Sequence, residues 1–360
     1  MTTTTASTGI VNSLTTGRLP KWAPWALLAG SWLAMCAVFA LVAAANGSEF
    51  NIVLSIFLGT VLFDALIFVV AYLVEGVRQA KNRLVTSLVL TAFIIALLPL
   101  ISLLFTVVVS GAARFDPLFF TSSMRNVVGE GGGALHAIMG TLLITGMATL
   151  ISVPVGLLTA IYLVEYGRGP LARAITFFVD VMTGIPSIVA GLFAFAFFAL
   201  VFSDPGIRFG FGGSVALSLL MIPVVVRSSE EMLKIVPNEL REASYALGVP
   251  KWLTILKIVI PTSIAGITTG VTLAIARVIG ETAPLLIISG FTASMNYDLF
   301  NGRMQTLPVF TYNQYVSQGI PAEAYLDRAW ASALTLIIIV MLLNLVARVI
   351  AKVFAPKSSR

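Results

Sequence analysis

Pro237-Asn-Glu-Leu-Arg-Glu-Ala-Ser-Tyr-Ala-Leu-Gly-Val-Pro-Lys-Trp252 is a charged, polar run between two long apolar segments, and Gly270-Val-Thr-Leu-Ala-Ile-Ala-Arg-Val-Ile-Gly-Glu-Thr-Ala-Pro-Leu-Leu286 follows it. The first run has the chemistry of a short helix that stops and restarts. Residues 239–247 are compatible with a helix, and Gly248 suits the position just past its end, where φ is positive. Pro250 then bars simple continuation. Small Ala243 and Ser244 permit close approach, while Glu239, Arg241 and Glu242 offer a polar contact face. The second run reads as one membrane-length helix with Arg277 and Glu281 inside it. Four residues apart, those charges share a helical face and are placed to meet. Charged side chains within a span are costly and face a bundle interior or a wet pathway.

The rest of the chain agrees with a membrane reading. Of 360 residues, 58% are hydrophobic and 11% charged, where soluble domains carry about 25% charged residues. The net charge of +6 calls for no nucleic acid, because the basic residues cluster beside apolar segments. With Cys36 as the single cysteine, an intramolecular disulfide is excluded. The Thr-rich start is followed by an apolar run too long for a removable signal peptide, so a disordered cytoplasmic tail is expected over 1–22.

Eight apolar segments follow, at about 23–45, 51–74, 85–110, 134–163, 174–202, 213–235, 262–289 and 329–353, each compatible with the roughly 20 residues of a spanning helix. The sixth is the weakest. Only Ser214–Val226 is free of charge, about 20 Å of helix against a core about 30 Å thick, so Arg227 and Glu230 are drawn into the inner leaflet. Lys and Arg in alternate connections divide sixteen to five, with Arg277 left inside a span. That asymmetry places both termini, and the 237–261 element, in the cytoplasm. The external connections 46–50 and 203–212 are short; 111–133 and 290–328 are long enough to dock another protein or a neighbouring subunit.

Glu242, Ala243 and Ser244 are followed by Gly248, Ile258, Ile260 and Pro261. This spacing resembles the cytoplasmic coupling signature of ABC importer permeases, departing from it by Ser244 and Ile260. The run Ala276-Arg-Val-Ile-Gly-Glu-Thr-Ala-Pro-Leu-Leu286 resembles the phosphate-specific permeases of the PstA type, as do Ile185-Pro-Ser-Ile-Val-Ala-Gly191 and the stretch after Gly129-Glu-Gly-Gly-Gly133. The resemblance covers about 84–354. It implies an all-α polytopic membrane protein with a type I ABC importer permease fold. A six-helix core over 84–354 would follow a two-helix extension over 23–83, with a cytoplasmic tail over 355–360. It further implies a bacterial inner membrane, inward phosphate transport, and no cofactor on this chain. ATP and magnesium would sit on two copies of a PstB-type ATPase, beside a homologous PstC-type permease and an external PstS-type phosphate-binding protein.

By that resemblance the ATPase-coupling residues are Glu239, Glu242, Ala243, Ser244, Gly248, Ile258 and Pro261. Among pathway candidates Arg277 leads: from Pro261 it stands sixteen residues along, about 24 Å into a continuous helix. A guanidinium presents a planar set of donors matched to phosphate oxygens. Glu281 is expected to hold Arg277, and the competing reading is a pair that merely braces a subunit interface. Arg227 is a second candidate, against the alternative of an anchor snorkelling to the inner headgroups. Pro186, Ser187 and Thr282 complete the set, Pro186 being read as a proline within a span, which frees backbone carbonyls.

The glycine run 129–133 lacks the lysine and hydroxyl of a P-loop and reads as a flexible entry turn in preference to a phosphate nest. His136 is expected to be a satisfied interfacial residue and Cys36 an apolar filler, neither with partners at metal or nucleophile spacing. The alternatives are a permease for another oxyanion, such as sulfate or molybdate, and an autonomous channel or secondary carrier, which would have no use for the 237–261 element.

Overall fold

The computed structural model describes residues 17, 19–47 and 49–354. Of the tail expected over 1–22 only 17 and 19–22 are described, and the tail expected over 355–360 lies entirely outside the described residues. Regular structure among the described residues is helical throughout, with no strand. The chain divides into two units, Met1–Leu104 and Phe105–Arg360.

In the first unit, α1 (Ala23–Asn46) starts with a proline in its first turn and stops at Gly47. α2 (Ile52–Glu75) is opened by Asn51, whose side chain accepts from the Leu54 N–H at 3.0 Å. The two helices meet at Gly59, where an added Cβ would lie 2.8 Å from the Trp32 ring. Buried Asp64 accepts a hydrogen bond from Ser87 of α3 (Val77–Ala112), which makes it a helix-packing residue.

The second unit is built around α8 (Gly210–Ile235). This is the sixth apolar segment, the weakest in hydropathy, and 67% of its apolar window is buried against 28% for the next most buried span. A helix surrounded by protein needs less apolar surface than one facing lipid, which is why the central element carries the faintest signal. α5 (Leu135–Ile161) lies along it. Contact between them depends on small residues: a Cβ at Gly156 would fall 2.7 Å from Val225, and the Ser214 hydroxyl donates to the Ile144 carbonyl at 3.0 Å. α11 (Ile260–Val278) packs on another side of α8, with Gly270 against Ser228 and Gly266 against Met232. The last long helix, α14, runs from Ala322 to Phe354, and its first turns precede the expected segment because they are polar.

Seven described helices are long and apolar enough to cross a membrane, or eight if one bent pair counts as a span. That pair corrects the fifth segment. Instead of a continuous helix over 174–202, α6 (Pro170–Thr183) and α7 (Ser187–Phe202) meet at 110°. Pro186 lies in the break and caps α7, with φ −59° and ψ 137°; a proline also drives the residue before it out of the α region. A second correction concerns 262–289. α11 ends at Val278, and after Gly280–Thr282 a short helix α12 (Ala283–Ile288) begins. Pro284 has no N–H for the Gly280 carbonyl, and its ring would clash there in a continuous helix. The 290–328 connection is likewise not a simple loop. It holds α13 (Leu307–Val316), whose Leu307, Pro308, Val309 and Phe310 are buried and whose Leu307 N–H reaches Thr141 at 2.8 Å.

The glycine run is an entry turn, but a clamped one. Arg328 donates to the carbonyls of Gly129 at 2.7 Å and Gly131 at 3.1 Å, and Arg114 to that of Gly132 at 2.8 Å. The run thus turns acceptors, not donors, toward its neighbours. His136 is buried, and only Nε2 has a partner, Gln305 at 3.3 Å; Nδ1 has none. Its ring also stands edge-on to Phe310. Cys36 is half-buried, its Sγ 3.6 Å from Ser55 Oγ.

Candidate functional site

The 237–261 element forms the helix–turn–helix its composition suggests. α9 (Asn238–Ala246) is capped by Leu247, Gly248 takes φ +77°, and Pro250 opens α10 (Lys251–Thr254). A wide turn over Ile255–Val259 joins α10 to α11. Ser244 is buried, and its hydroxyl meets that of Thr254 at 2.8 Å, which closes the two helices on each other. Glu239, Glu242, Ala243 and Gly248 are exposed, together with Leu240 and Leu247. Ile258 is half-buried in the wide turn, and Pro261 is exposed in the first turn of α11.

Arg241 departs from the expected contact face. It turns inward, pairs with Glu165 at 2.9 Å and donates to the Leu233 carbonyl at 2.9 Å and the Val236 carbonyl at 2.5 Å. Both charged side chains are nearly enclosed, at 11% and 4% exposure. The Lys251 ammonium donates to the Glu165 backbone carbonyl and lies 4.8 Å from the Tyr166 ring centre. The α9–α10 element is therefore fastened to the end of the α5 span and to the end of α8. Nothing in the linear spacing joins Arg241 to Glu165, 76 residues away.

The pathway candidates separate into a neutralised charge and a free one. Arg227 pairs with Asp180 of α6 and, at 2.8 Å, with Glu230, which holds Lys234 at 2.7 Å. Two cations and two anions leave this cluster with little net charge, and it fastens the bent α6–α7 element to α8. Arg277, in the last turn of α11, is exposed. Buried positions Ile267, Gly270, Ala274 and Val278 define the packed face of α11, and Arg277, three residues past Ala274, lies exposed at its edge. Since α11 ends before Glu281, the expected pair does not form: no hydrogen bond or ion pair engages either side chain among the described residues.

The fold does bring together two stretches that the sequence left apart. Gly191 of α7 sits against Pro284 so closely that a Cβ there would lie 2.5 Å from the proline Cα. The α6–α7 break, with exposed Pro186 and half-buried Ser187, is thereby tied to the α11–α12 break, with half-buried Glu281 and Thr282. Ile185 and Leu286 pack on the same core of Met221, Val225 and Ala274. Interrupted helices inside a helical bundle expose backbone groups that transporters use at substrate sites.

Residues 152–360 match the family described as binding-protein-dependent transport system inner membrane component. The phosphate transport system permease protein PstA 1 of Mycobacterium tuberculosis (strain CDC 1551 / Oshkosh) is 48% identical over 276 residues, 76% of this chain and 89% of that protein. The chain belongs to the PstA family of phosphate transport permeases. PstA of Mycobacterium leprae is 49% identical over 273 residues, covering 74% of this chain and 88% of the relative. PstA of Yersinia pestis is 40% identical over 281 residues, covering 78% and 92%. Among solved structures, a bacterial alginate ABC transporter in complex with an alginate pentasaccharide-bound periplasmic protein matches with a TM-score of 0.55 at 14% identity, over 74% of this chain and 93% of that one. A second structure, of a bacterial ABC transporter involved in alginate import, matches with a TM-score of 0.53 at 15% identity, over 76% and 96%. These two share the fold: a polytopic ABC importer permease.

Proposed function

We propose that this chain is the membrane translocation subunit of an inorganic phosphate importer, moving phosphate inward by alternating access driven by a separate ATPase. The observation that carries the reading is the Arg277–Pro284 run. In a member of the PstA family it supplies an interrupted helix whose guanidinium is neither buried nor paired. A free guanidinium offers a phosphate two parallel hydrogen bonds, whereas Arg227 is already held by two carboxylates. Arg277 is accordingly the pathway residue and Arg227 a fastening. Thr282, Pro186 and Ser187 line the same interrupted region, and Glu281 keeps the pathway from becoming a deep trap for anions.

The protein acts in a bacterial inner membrane beside a homologous PstC-type permease. Two PstB-type ATPases, which carry the ATP and magnesium, bind its cytoplasmic side, and a PstS-type binding protein delivers phosphate outside. Glu239, Glu242, Ala243, Gly248 and exposed Leu247 form the ATPase-facing surface of α9. Ser244, Ile258 and Pro261 carry its movement into α11, which bears Arg277.

The test is ATP-dependent uptake of labelled phosphate into vesicles holding the four-component assembly, with sulfate and molybdate as competitors. Arg277→Leu is expected to assemble normally and lose uptake, while the other anions leave wild-type uptake unchanged. Normal uptake by the assembled variant would return Arg277 to a bracing role. Wild-type transport of a different oxyanion would keep the architecture and overturn the cargo.

A further inference from the structure

Within the first unit, α1, α2 and the first turns of α3 enclose a cleft of about 380 Å³ that plays no part in the translocation scheme. Its α3 wall carries Gln79, Asn82, Arg83, Thr86, Ser87 and Leu90, which recur at helical spacing and form one face. From Gln79 to Leu90 that face runs about 16 Å. Along it the chemistry changes in order: two amides, a guanidinium, two hydroxyls, then a leucine. The opposite walls are apolar, from Pro24 and Trp25 at the start of α1 to Leu28, and from Ile67 toward Phe63 on α2. The start of α1, the end of α2 and the start of α3 lie on the cytoplasmic side by the charge asymmetry. The cleft therefore runs from headgroup depth into the acyl region of the inner leaflet.

The polar end is short of partners. Arg83 spends Nε and Nη2 on Glu75, at 2.5 and 2.7 Å, which leaves Nη1 with no hydrogen bond. The side-chain amides of Gln79 and Asn82, both on exposed residues, have none either among the described residues, whereas Ser87 is engaged with Asp64 and Thr86 with the Asn82 carbonyl. Unpaired donors at the edge of a bilayer are costly unless a ligand or water takes them. Lys21, Arg78 and Lys81, which do not line the cleft, stand exposed on the same side of the membrane, a surrounding that favours an anionic headgroup. Trp25 is 70% exposed.

We propose that this cleft holds one glycerophospholipid of the inner leaflet with an anionic headgroup. Arg83 Nη1 and the Gln79 and Asn82 amides take the phosphodiester, Thr86 lies at the depth of the glycerol and ester groups, and one acyl chain runs past Leu28, Phe63 and Leu90. The order of polarity along α3 matches that of a phospholipid, which a soluble anion or an apolar peptide would not use along its whole length.

Native mass spectrometry of the assembled transporter in mild detergent tests this, with phosphatidylglycerol and phosphatidylcholine of identical acyl chains as probes and inorganic phosphate as competitor. The expected result is one phosphatidylglycerol retained per copy of this chain, at least tenfold in preference to phosphatidylcholine and undisturbed by millimolar phosphate. Gln79→Leu with Asn82→Leu should lower its retention about tenfold and remove the preference, and Leu28→Trp, which fills the acyl wall, should lower retention of both lipids. The double variant makes the membrane-facing surface more apolar and leaves the Arg83–Glu75 pair in place, so it is the arm least exposed to misfolding. Equal retention of the two lipids overturns the proposal. So does wild-type retention in both assembled variants, displacement by inorganic phosphate alone, or occupation of the cleft by a polypeptide cross-linked at Trp25.

Discussion

Replacing Arg241 with alanine is the most informative perturbation of the 237–261 element. The change removes four contacts at once: the 2.9 Å pair with Glu165, the hydrogen bonds to the Leu233 and Val236 carbonyls, and a longer one to Asn238 Oδ1 at 3.3 Å. It also strands Glu165, whose side chain is 4% exposed. Breaking one side of a buried pair costs about 3–5 kcal/mol. α9 has nine residues, too short to persist alone in water, and the remaining Ser244–Thr254 hydrogen bond contributes only about 1 kcal/mol. At about 1.4 kcal/mol per factor of ten, a loss of about 3 kcal/mol makes local opening of α9 about 100-fold more frequent. α10 keeps its own fastening through Lys251 to the Glu165 backbone and the Tyr166 ring. Hydrogen exchange on the assembled transporter should therefore rise about 100-fold over residues 238–246 and change little over 251–254. Arg241→Lys should fall between, because it restores a charge without the planar fork. Exchange in α9 within twofold of wild type, or an equal rise across α8, α9 and α10, would refute the reasoning.

Gly191→Ala places a Cβ 2.5 Å from the Pro284 backbone and should lower stability by about 1–3 kcal/mol, read as a drop in Tm of the detergent-solubilised assembly; an unchanged Tm would mean that the two broken helices do not depend on that approach. Gly248 has φ +77° and open space around it, so Gly248→Ala should cost about 1–2 kcal/mol through the backbone alone, and Gly248→Asn less, as thermal melts of the two variants would show. Arg328 is fully buried and holds Gln314 and two glycine carbonyls. Arg328→Met should leave those acceptors unpaired at a cost of about 1–3 kcal/mol for each, and limited proteolysis should then cut near 129–133 faster than in wild type.

Legibility followed range along the chain. The 237–252 run contains its own stop at Gly248 and its own restart at Pro250, so the helix–turn–helix could be read locally. Its inward arginine could not, because the partner is 76 residues away. The same limit applies to Arg227, an uncertain pathway residue by position, which Asp180 fastens from 47 residues away. For Arg277 and Glu281 the i, i+4 spacing implied a pair, but that inference assumed an unbroken helix. Pro284 carried the contrary signal, three residues past Glu281, and hydropathy outweighed it because the whole stretch is apolar. α13 is illegible for another reason: ten residues within a long connection give too short a periodicity to separate a buried helix from a loop.

What the sequence by itself determined is the class of the protein: apolar runs of spanning length, a helix–turn–helix between two of them, and the family. These depend on hydropathy, charge and backbone preference, which act on each segment whatever surrounds it. Only the tertiary structure decided which charges are neutralised, where spans break, and which helix lies at the centre. Those outcomes depend on pairs of groups distant along the chain, and on whether a helix faces lipid or protein. α8 shows the difference most plainly, being the least apolar span and the most buried.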